Sequence, residues 1–570
     1  MVRIVSDNII SALGFDTTEN LQAIQVGRSG IVPHTDDRIS DTCGFMAATI
    51  DDTRLQKFVQ QQRLHCYTRI EQCMILSIAN ALSGTNITLS DADTVLVVST
   101  TKGNIDLLDG SDNIPSAAFI AEMAAHVAEY FKAVRTPTII SNACISGLAA
   151  IVAAQRMIAD GLCRQAVVCG ADMLSRFICS GFQTFKSLSK TRCRPYDAAH
   201  CGLNLGEAAA TIVLSQTDSD GIIVAGGALS NDANHISGPS RTGMELGMAM
   251  QQALCEAGLV TADIAFVNMH GTATLYNDEM ESKALHSVGL GNCPLNSLKP
   301  YLGHTLGASG VVETIVCAHE LQQQILYGTL GFEHIGTPLP LNLDSRNRTI
   351  SGDTCIKTAS GFGGCNAAVV LTLRNNLKRN IIQNIHLTER RRCTIADGRI
   401  CIDGNEVLCC NDNFETLIRK AQHLLEAPNL KFGKMDNLSK MAYVAVGWLL
   451  RDINDVDVER MALFFSNAAA SLDTDLRHRR SIVAGDAAAH PSIFVYTLPN
   501  VAMGEVCIRY HIKSENIFYI SSHYDRAALR IAAESAMRHN PYIRQVIIGR
   551  CEVLGNDYFC DLELLQNYDA

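Results

Sequence analysis

The stretch TPTIISNACISGLAAIVAAQ (136–155) decides the fold of this 570-residue chain. Its first five residues, TPTII, form the kind of apolar run that is typical of a buried strand, and LAAIVAAQRMI from Leu148 has the composition of a buried helix. Between them, Cys144 lies in a short turn beside Gly147. A strand, a tight turn and a helix in this order predict a unit of an α/β protein.

The same alternation of strand and helix extends along the chain on both sides of this stretch. Apolar strands are predicted at 95–99, 165–169, 222–226, 266–270 and 367–373. Helices are predicted near 116–132, 147–161, 243–257, 279–287 and 307–322. Strand and helix in repeated alternation predict an α/β fold whose sheets are covered by helices on both faces.

The composition restricts the class of protein. Apolar residues make up 47% of the chain and charged residues 18%, which favours extensive buried surface over disorder. The net charge of −11 gives no support to non-specific nucleic-acid binding. The sequence shows no cationic start followed by an apolar core, and no apolar run of about 18 residues. We therefore predict a cytoplasmic protein that does not span a membrane.

The 21 cysteines follow neither a disulfide pattern nor a metal-binding pattern. They are irregularly spaced, often lie within apolar runs such as AVVCG (166–170), and form no CxxC pair. We predict that most are small buried side chains and that no metal is bound. Cys144 differs because its turn precedes a helix. Backbone N–H groups and the positive end of the helix dipole are expected to lower its pKa.

Three further motifs follow Cys144: HGTAT (270–274), LKPYLGHTLGASG (298–310) and SGFGG (360–364). The first two place His270 and His304 at the ends of predicted strands or in the loops after them, where α/β proteins commonly carry reactive groups. The third lacks the GxxxxGK[ST] pattern and precedes a strand, so a phosphate-binding loop is disfavoured.

Together, in this order and spacing, the four motifs resemble those of the β-ketoacyl-acyl carrier protein synthases of the elongating Cys-His-His type, which belong to the thiolase superfamily. The resemblance covers residues 1–375 and implies the thiolase fold, a five-layered αβαβα arrangement of two similar halves, here 1–218 and 219–375. It also implies an acyltransferase that catalyses a decarboxylative Claisen condensation. An acyl group on Cys144 would be joined to malonyl-acyl carrier protein, giving β-ketoacyl-acyl carrier protein in fatty acid, polyketide or polyene synthesis.

The resemblance assigns a role to each motif. Cys144 is expected to be the nucleophile, and His270 and His304 to bind the malonyl thioester carbonyl and promote decarboxylation. Lys299, five residues before the second histidine, matches the active-site lysine of the family. Glu313, on the helix after GHTLGASG, matches its glutamate.

The remaining matches concern the substrate. Phe362 is expected to gate the nucleophile, and its backbone N–H, together with that of the nucleophile, to form the oxyanion hole. Gly361 and Gly363 support this turn. Thr272 and Thr274 match positions that contact the phosphopantetheine arm. The resemblance implies no tightly bound cofactor, because the phosphopantetheine arrives on the acyl carrier protein.

One segment departs from the family pattern. RPYDAAHCGLNLGEAAA (194–210) has His200 where an arginine that contacts the carrier is usual, which leaves the docking surface undetermined. An alternative basic face would consist of Arg54, Lys57, Arg63 and Arg69. Ordinary solvated charges explain these four residues equally well. Asp278 and Glu281 match the NDxxE of the family and are predicted to be structural.

Residues 394–570, after a charged connector at 376–393, repeat the first half. The matching pairs are VLVVSTTKGNIDLL (95–108) with MALFFSNAAASLDTDL (461–476), PSAAFIAEMAAHVAEYF (115–131) with PSIFVYTLPNVAMGEVCI (491–508), and RQAVVCGADML (164–174) with RQVIIGRCEVL (544–554). Cys144 then falls at or beside Tyr524, so the second copy lacks the nucleophile. It resembles an additional half-thiolase domain, like the chain-length-factor-like proteins of aryl polyene and flexirubin-type pathways.

Three alternatives compete with this interpretation. A Cys-His-Asn condensing enzyme is disfavoured, because it would have asparagine in place of His304. A thiolase would have a second reactive cysteine near its C-terminus, where Cys365 is the candidate, but GFGGCN (361–366) matches the ketosynthase turn better. The nucleophile-free half supports a catalytically silent scaffold, or a chain-length factor that acts with a partner.

The resemblance also implies partners. We expect an acyl carrier protein as the partner that bears the substrate, and a homodimer or a heterodimer with another ketosynthase-like chain. In the family, the N-terminal halves form the dimer. Residues 456–556 would then either mimic a partner half or widen the dimer interface.

Overall fold

The computed structural model describes residues 1–36, 39, 45–108, 114–217, 221–378, 384–410, 413–425, 431–483 and 490–567. The predicted boundary between residues 218 and 219, the middle of the predicted connector and residues 568–570 lie outside the described residues. Within these ranges, no helix combines the length and the apolar character needed to cross a membrane.

Helices and strands alternate as the sequence predicts. The helices of the described residues are α1 (Thr17–Gln25), α2 (Asp52–Gln62), α3 (Arg69–Leu82), α4 (Ile120–Tyr130), α5 (Ser146–Ala159), α6 (Arg176–Thr184), α7 (Met244–Ala257), α8 (Leu275–Ser287), α9 (Lys299–Leu302), α10 (Ser309–Gln323), α11 (Phe414–Leu424), α12 (Asn437–Leu450), α13 (Leu472–Val483), α14 (Pro491–Val495), α15 (Val501–Tyr510) and α16 (Arg526–His539). The strands are β1 (Val2–Ser11), β2 (Val32–His34), β3 (Phe45–Ala48), β4 (Thr94–Ser99), β5 (Thr138–Ile140), β6 (Gln165–Asp172), β7 (Leu205–Gly206), β8 (Ala208–Gln216), β9 (Ile223–Asn231), β10 (Phe266–Asn268), β11 (Leu295–Asn296), β12 (Ile325–Leu326), β13 (Arg348–Thr349), β14 (Thr354–Gly361), β15 (Cys365–Thr372), β16 (Leu387–Ala396), β17 (Arg399–Ile402), β18 (Asn405–Cys409), β19 (Met461–Asn467), β20 (Asn516–Ile520), β21 (Gln545–Leu554) and β22 (Asp557–Asn567).

Two mixed sheets and the helices between and outside them make five layers. The strands of the first sheet lie in the order β1–β8–β6–β4–β5, and those of the second in the order β9–β15–β14–β10–β11. Helices α5 and α10 contact each other and both sheets, whereas α3 covers the first sheet and α7 the second. The predicted αβαβα architecture is therefore confirmed.

Two glycines let the helices of the middle layer touch along their backbones. A Cβ atom on Gly147 would lie 2.8 Å from the backbone nitrogen of Val311, and one on Gly310 would lie 2.4 Å from that of Leu148. A side chain at either position would push the helices apart, because a packed interior leaves no room for it. The close approach brings together the N-terminal ends of α5 and α10. The turns that carry Cys144 and the second histidine precede those ends.

The C-terminal strands repeat the first sheet. Their order, β16–β22–β21–β19–β20, and their parallel and antiparallel pairings are those of β1–β8–β6–β4–β5. Helices α12 and α16 cover the two faces of this third sheet, as α3 and α5 cover those of the first. The repeat therefore forms an additional α/β half.

The strand pairings align the two copies residue by residue. Thr138 of β5 and Ile517 of β20 occupy equivalent positions in the two sheets. Counting forward by the same interval, from 138 to 144 and from 517 to 523, places His523 at the position of Cys144. Tyr524, which is predicted to fall at or beside that position, is the next residue.

The two copies join edge to edge in one continuous sheet. Tyr519 pairs with Ile140, and Ile520 with Ile139, in antiparallel orientation. Because each copy contributes the same edge strand, the two are arranged like the halves of a two-fold symmetric dimer. Of the two arrangements predicted for residues 456–556, the pairing favours the mimic of a partner half.

The predicted connector (376–393) is too long. β16 begins at Leu387, so the segment TERRRC (388–393) belongs to a strand. The charges of this segment make the strand difficult to predict from the sequence. They are tolerated in the sheet because they pair with charges on the neighbouring strand: Arg392 Nε lies 2.6 Å from Asp561 Oδ1 on β22. A charge run is a poor sign of a connector where a neighbouring strand supplies opposite charges.

Candidate active site

Cys144 lies in the turn between β5 and α5. The preceding residue, Ala143, has a φ of 48°, in the left-handed region that non-glycine residues rarely adopt. Such strained residues often occur at functional turns. Cys144 is 8% exposed and lines a cleft of about 430 Å³.

The two predicted histidines lie beside Cys144. His304 Nε2 lies 3.1 Å from Cys144 Sγ, and the ring centroids of His270 and His304 are 5.0 Å apart with their planes at 85°. A cysteine with an imidazole in hydrogen-bond range is the arrangement of an activated nucleophile. The three donor atoms lie within 4.8 Å of one another. A thiolate and two imidazoles are also ligands that Zn²⁺ accepts, although no metal site is predicted from the sequence.

Glu281 holds the loop that carries His270. Its carboxylate accepts hydrogen bonds from the backbone N–H groups of His270 (2.8 Å) and Gly271 (2.9 Å) and from the hydroxyl of Tyr196 (2.8 Å). Asp278 accepts a further hydrogen bond of 2.7 Å from the Tyr196 N–H. Glu281 therefore holds the histidine loop directly, and Asp278 holds the backbone of Tyr196 beside it, as a structural role requires.

Ser309, the first residue of α10, contacts the other nitrogen of the His304 ring. Its Oγ lies 3.2 Å from Nδ1. Because a hydroxyl group can donate or accept a hydrogen bond, Ser309 supports either tautomer of His304. The Nε2 atom can therefore face Cys144 with a lone pair or with a proton.

A buried cluster of three charges lies close to the histidines. Glu313 of α10 forms ion pairs with Lys299 and, at 2.6 Å, with Lys357 of β14. All three side chains are at most 3% exposed. Lys299 and Glu313 are predicted from the sequence, whereas Lys357 is not. The signal that points to Lys357 is a single lysine inside an otherwise uncharged strand, TCIKTASG (354–361).

Both histidines are held in the neutral state. Burial lowers the pKa of His270 and of His304 well below the ordinary value of 6.5, and the positive charges of Lys299 and Lys357 lower it further. Burial alone would raise the pKa of Glu313, but the two lysines bring it below 4.5. At neutral pH the cluster therefore contains neutral imidazoles and an ionised carboxylate.

Cys144 does not rest as the expected thiolate. Burial raises the pKa of its thiol to about 12, although the charge of Lys299 opposes this shift. The backbone N–H at the helix start lowers this pKa as expected, but the net shift is upward because desolvation of the thiolate outweighs it. The thiol therefore needs a base, and His304 is within reach.

Phe362 lies in the tight turn between β14 and β15. Its ring packs against Phe182 and Phe185, with centroid distances of 6.1 and 5.5 Å, and it lines the cleft together with Cys144. A Cβ atom on Gly361 would lie 3.1 Å from the backbone nitrogen of Cys144. The absence of a side chain there leaves room next to this amide, where an oxyanion hole requires it.

Residues 394–570, called the C-terminal half below, contact the Phe362 turn. Asn500 donates a hydrogen bond of 2.8 Å from its side-chain amide to the carbonyl of Phe362. Gly363 has a φ of 87°, and a Cβ atom there would lie 2.6 Å from Asn500 Nδ2. The turn is therefore in close contact with the C-terminal half.

The same half supports the nucleophile turn and a wall beside it. Asn142 Oδ1 accepts a hydrogen bond of 2.6 Å from the Phe518 N–H. A small pocket of about 20 Å³ next to Cys144 is lined by residues of the synthase and of the C-terminal half. Phe494 of α14 is one of the residues that the C-terminal half contributes. The rings of Phe494 and Phe182 have centroids 5.4 Å apart. These contacts are not predicted from the sequence, because a repeat indicates similarity and not docking.

The residues predicted to bind the arm and the carrier fall into two groups. Thr272, Thr274 and His200 line the cleft, and the two threonine hydroxyl oxygens are 2.8 Å apart. Arg69, a member of the alternative basic face, is engaged within the protein, because its guanidinium lies 2.7 Å from the carboxylate of buried Glu207. That face is therefore smaller than the sequence suggests.

Cys365, the candidate for a thiolase-type second cysteine, is 1% exposed. Its Sγ lies 3.3 Å from the carbonyl oxygen of Phe362. It does not belong to the residues that line the cleft. The thiolase alternative is therefore disfavoured.

Comparisons with known proteins point to one family. The family model described as "Beta-ketoacyl synthase, N-terminal domain" matches residues 2–219, and "Beta-ketoacyl synthase, C-terminal domain" matches residues 222–333. The 3-oxoacyl-(acyl-carrier-protein) synthase 2 of Vibrio cholerae is 31% identical over 280 residues, which cover 45% of this chain and 67% of that protein. The corresponding protein of Vibrio harveyi is 28% identical over 399 residues, 64% of this chain and 96% of its own length.

The chain belongs to the β-ketoacyl synthase family. It is an acyltransferase of the kind that forms β-ketoacyl thioesters by Claisen condensation in fatty acid or polyketide synthesis. A solved structure described as "PfaC Keto synthase-Chain length factor" covers 100% of this synthase with a TM-score of 0.78 and 13% identity, and 78% of that chain is matched. The combination of a synthase fold with a C-terminal half of this fold is therefore also found in that solved structure.

Proposed function

We propose that this synthase elongates acyl thioesters bound to a carrier protein by decarboxylative condensation, with Cys144 as its nucleophile. The observation that carries the proposal is the 3.1 Å contact between Cys144 Sγ and His304 Nε2, in a cleft that His270 also lines. A thiol of high pKa next to a neutral imidazole transfers its proton as it attacks. The site is therefore suited to form an acyl-cysteine.

In the first step Cys144 accepts the acyl group. Sγ attacks the thioester carbonyl, and its proton moves to His304 Nε2. The tetrahedral intermediate then collapses, the carbon–sulfur bond to the carrier breaks, and the proton leaves with the phosphopantetheine thiol. The backbone N–H groups of Cys144 and Phe362 stabilise the oxyanion, and one such donor typically contributes about 10²–10³ in rate.

In the second step a malonyl thioester occupies the cleft. His304 is then in its other neutral tautomer, with the proton on Nε2 and Nδ1 accepting from Ser309. N–H groups of neutral His270 and His304 donate to the malonyl carbonyl oxygen, and loss of carbon dioxide leaves an enolate that these donors stabilise. The enolate carbon attacks the acyl-Cys144 carbonyl, and the bond to Sγ breaks. The β-ketoacyl thioester departs, and the Cys144 thiolate takes up a proton from water. Lys299 and Glu313 support the histidines electrostatically.

We propose that the partner bearing both substrates is an acyl carrier protein in the cytoplasm. Its phosphopantetheine arm would enter the cleft and contact Thr272 and Thr274, whose hydroxyl groups face the same space. No tightly bound cofactor is needed for these steps. His200 at the cleft would replace the arginine that other members use for the carrier.

We also propose a role for residues 394–570, beside synthase halves 1–218 and 219–375. They would act as a built-in partner half that completes the active site. Support comes from the hydrogen bond of Asn500 to the Phe362 turn and from Phe494 in the wall next to Cys144. In this position the C-terminal half would limit the length of the acyl chain.

Intact-protein mass spectrometry tests the nucleophile. The synthase is mixed with acyl carrier proteins that bear acyl chains of several lengths, and we expect one acyl adduct that is lost in Cys144→Ala. Cys365→Ala is the matched control, because it removes a buried cysteine outside the cleft and should retain the adduct. A folded wild-type protein that gains no adduct from any chain would contradict the proposal.

A catalytically silent scaffold or chain-length factor is the second candidate function. It is favoured by the C-terminal half, in which His523 takes the position of the nucleophile. The same measurement separates the two functions, since a scaffold would stay unmodified while a partner synthase became acylated.

A further inference from the structure

Lys357 lies close to the two histidines but belongs to none of the four motifs. It is on β14, where its backbone pairs with Asn268 of β10, two residues before His270. The side chain is 0% exposed. A lysine at such a position has lost its hydration and needs compensation from the protein.

The compensation comes from a carboxylate that already has a partner. Glu313 Oε2 lies 2.6 Å from Lys357 Nζ, while Glu313 Oε1 pairs with Lys299. The single negative charge of Glu313 therefore pairs with the positive charges of both lysines. A single lysine would be enough to neutralise Glu313, and a second buried cation adds a desolvation cost that packing does not require. The cluster carries a net charge of +1 where the reaction passes through anions.

We infer that Lys357 is a positioning residue of the condensation site, which neutralises Glu313 so that the charge of Lys299 acts undiminished on Cys144 and the histidines. The inference rests on the proposed function. It assigns Lys357 no contact with the substrate. Its action is to make a thiolate and an enolate less costly in a site shielded from water.

The electrostatic contributions have the signs that this role requires. Lys299 lowers the pKa of Cys144, whereas Asp172 of β6 and Glu313 raise it. Without Lys357, the charge of Glu313 would offset that of Lys299, which is the charge that favours the thiolate. Lys357 also lowers the pKa of both histidines, so its removal makes them easier to protonate. The other ionisable groups that it influences are Glu281 of α8 and Glu320 of α10.

Lys357→Met tests the inference through the pH dependence of a reaction that needs no condensation. Cys144 is alkylated with iodoacetamide between about pH 7 and 10, and the modified peptide is quantified by mass spectrometry. Because the rate below the midpoint is proportional to the thiolate fraction, a tenfold change in rate at a given pH reports a shift of one pH unit in the midpoint. Loss of one nearby charge is expected to move the alkylation midpoint up by about one pH unit. Decarboxylation of malonyl-acyl carrier protein at pH 7 is expected to fall about tenfold. Lys357→Arg keeps the charge and should keep the midpoint.

A double variant separates charge from packing. Lys357→Met combined with Glu313→Gln removes one charge of each sign and restores the net +1, so the alkylation midpoint should return toward that of the wild type. The double variant also removes the carboxylate whose Oε2 atom loses its ion pair in Lys357→Met, so it can still be measured if Lys357→Met alone does not fold. A double variant whose midpoint stays as high as that of folded Lys357→Met would overturn the inference.

Arg156→Met is the matched control for the loss of a buried cation. Arg156 pairs with Glu515 at 2.6 Å and lies 12 residues beyond Cys144, about 18 Å along α5. We expect a lower melting temperature and an unchanged midpoint. If Lys357→Met behaved in the same way, the role of Lys357 would be structural only. If the wild type did not decarboxylate malonyl thioesters at all, the proposed function would fail, while the alkylation midpoints would still test Lys357.

Discussion

Burial raises the pKa of the Cys144 thiol to about 12, so its reactivity depends on a base and not on a permanent thiolate. His304 is that base in the proposed mechanism. We expect His304→Ala to slow formation of the acyl-enzyme by about 10²–10⁴-fold, which rapid quenching and mass spectrometry would measure. His319→Ala is the control, because His319 pairs with Asp7 and is not among the cleft residues. Acylation of His304→Ala at the wild-type rate would rule out this role.

The buried carboxyl group of Glu320 should make the stability of the protein depend on pH. It lies on α10 and accepts hydrogen bonds from Asn296 and from the Tyr327 N–H, and burial raises its pKa from 4.5 to about 8. The folded protein holds this proton more tightly than the unfolded chain. The stability that results is fully present below pH 4.5 and is lost as the pH rises through about 8. Glu320→Gln has no such proton, so its melting temperature relative to the wild type should rise across this interval. Parallel melting curves at all pH values would contradict the assignment.

The residues that carry the proposed chemistry could be predicted because each stands in a short motif. Cys144, His270 and His304 are recognisable from their neighbours in sequence, and the fold brings them within 4.8 Å of one another. Lys357 could not be predicted with the same ease, because its role depends on burial and on a shared partner, Glu313, in another element. The resting state of the thiol also depends on burial, which a turn before a helix does not reveal.

At the scale of single elements, α14 is the segment whose placement has the clearest functional consequence. It places Phe494 in the wall of the small pocket next to Cys144. We expect Phe494→Ala to enlarge this pocket and shift the preferred acyl chain toward greater length, as measured by the distribution of acyl adducts. A loss of about 3–5 kcal/mol in stability accompanies such a substitution in a core.

The control for α14 is Phe414→Ala, which truncates the same residue type on α11. Phe414 is also buried, and its ring packs against Tyr558 with a centroid distance of 4.9 Å. It should lower stability to a similar extent and leave the chain-length preference unchanged. Equal preferences in all three proteins would show that Phe494 does not limit the acyl chain.

The elements themselves were predictable to different degrees. Continuous apolar strands such as β4 and β6 show in the sequence because both faces of their sheet are covered. β16 could not be predicted in this way, because Arg392 and its charged neighbours interrupt the apolar pattern. These charges are compensated by pairing across the sheet. The start of α5 follows from the turn before it, whereas its contact with α10 depends on Gly147 and Gly310 at distant positions in the chain.

At the scale of the whole molecule, the antiparallel pairing of β5 with β20 determines how the protein can associate. The pairing of Ile140 with Tyr519 uses the edge strand of the first half within the same chain. A homodimer or heterodimer remains a prediction, and it would have to use a surface other than this edge. The sequence repeat indicates a second copy, but only the three-dimensional arrangement shows where that copy sits.

Removal of the C-terminal half tests whether it acts as a built-in partner. A chain that ends at residue 378 would expose the edge of β5 and the apolar residues that pack against the C-terminal half. It would also lose the hydrogen bonds that reach Asn142 and the Phe362 turn. Exposed edges and apolar surfaces promote aggregation, so we expect a poorly soluble product. Any soluble fraction should form far less acyl-enzyme than the full chain, as measured by gel filtration and mass spectrometry. A truncated protein that stayed soluble, dimeric and fully active would show that residues 394–570 serve another purpose.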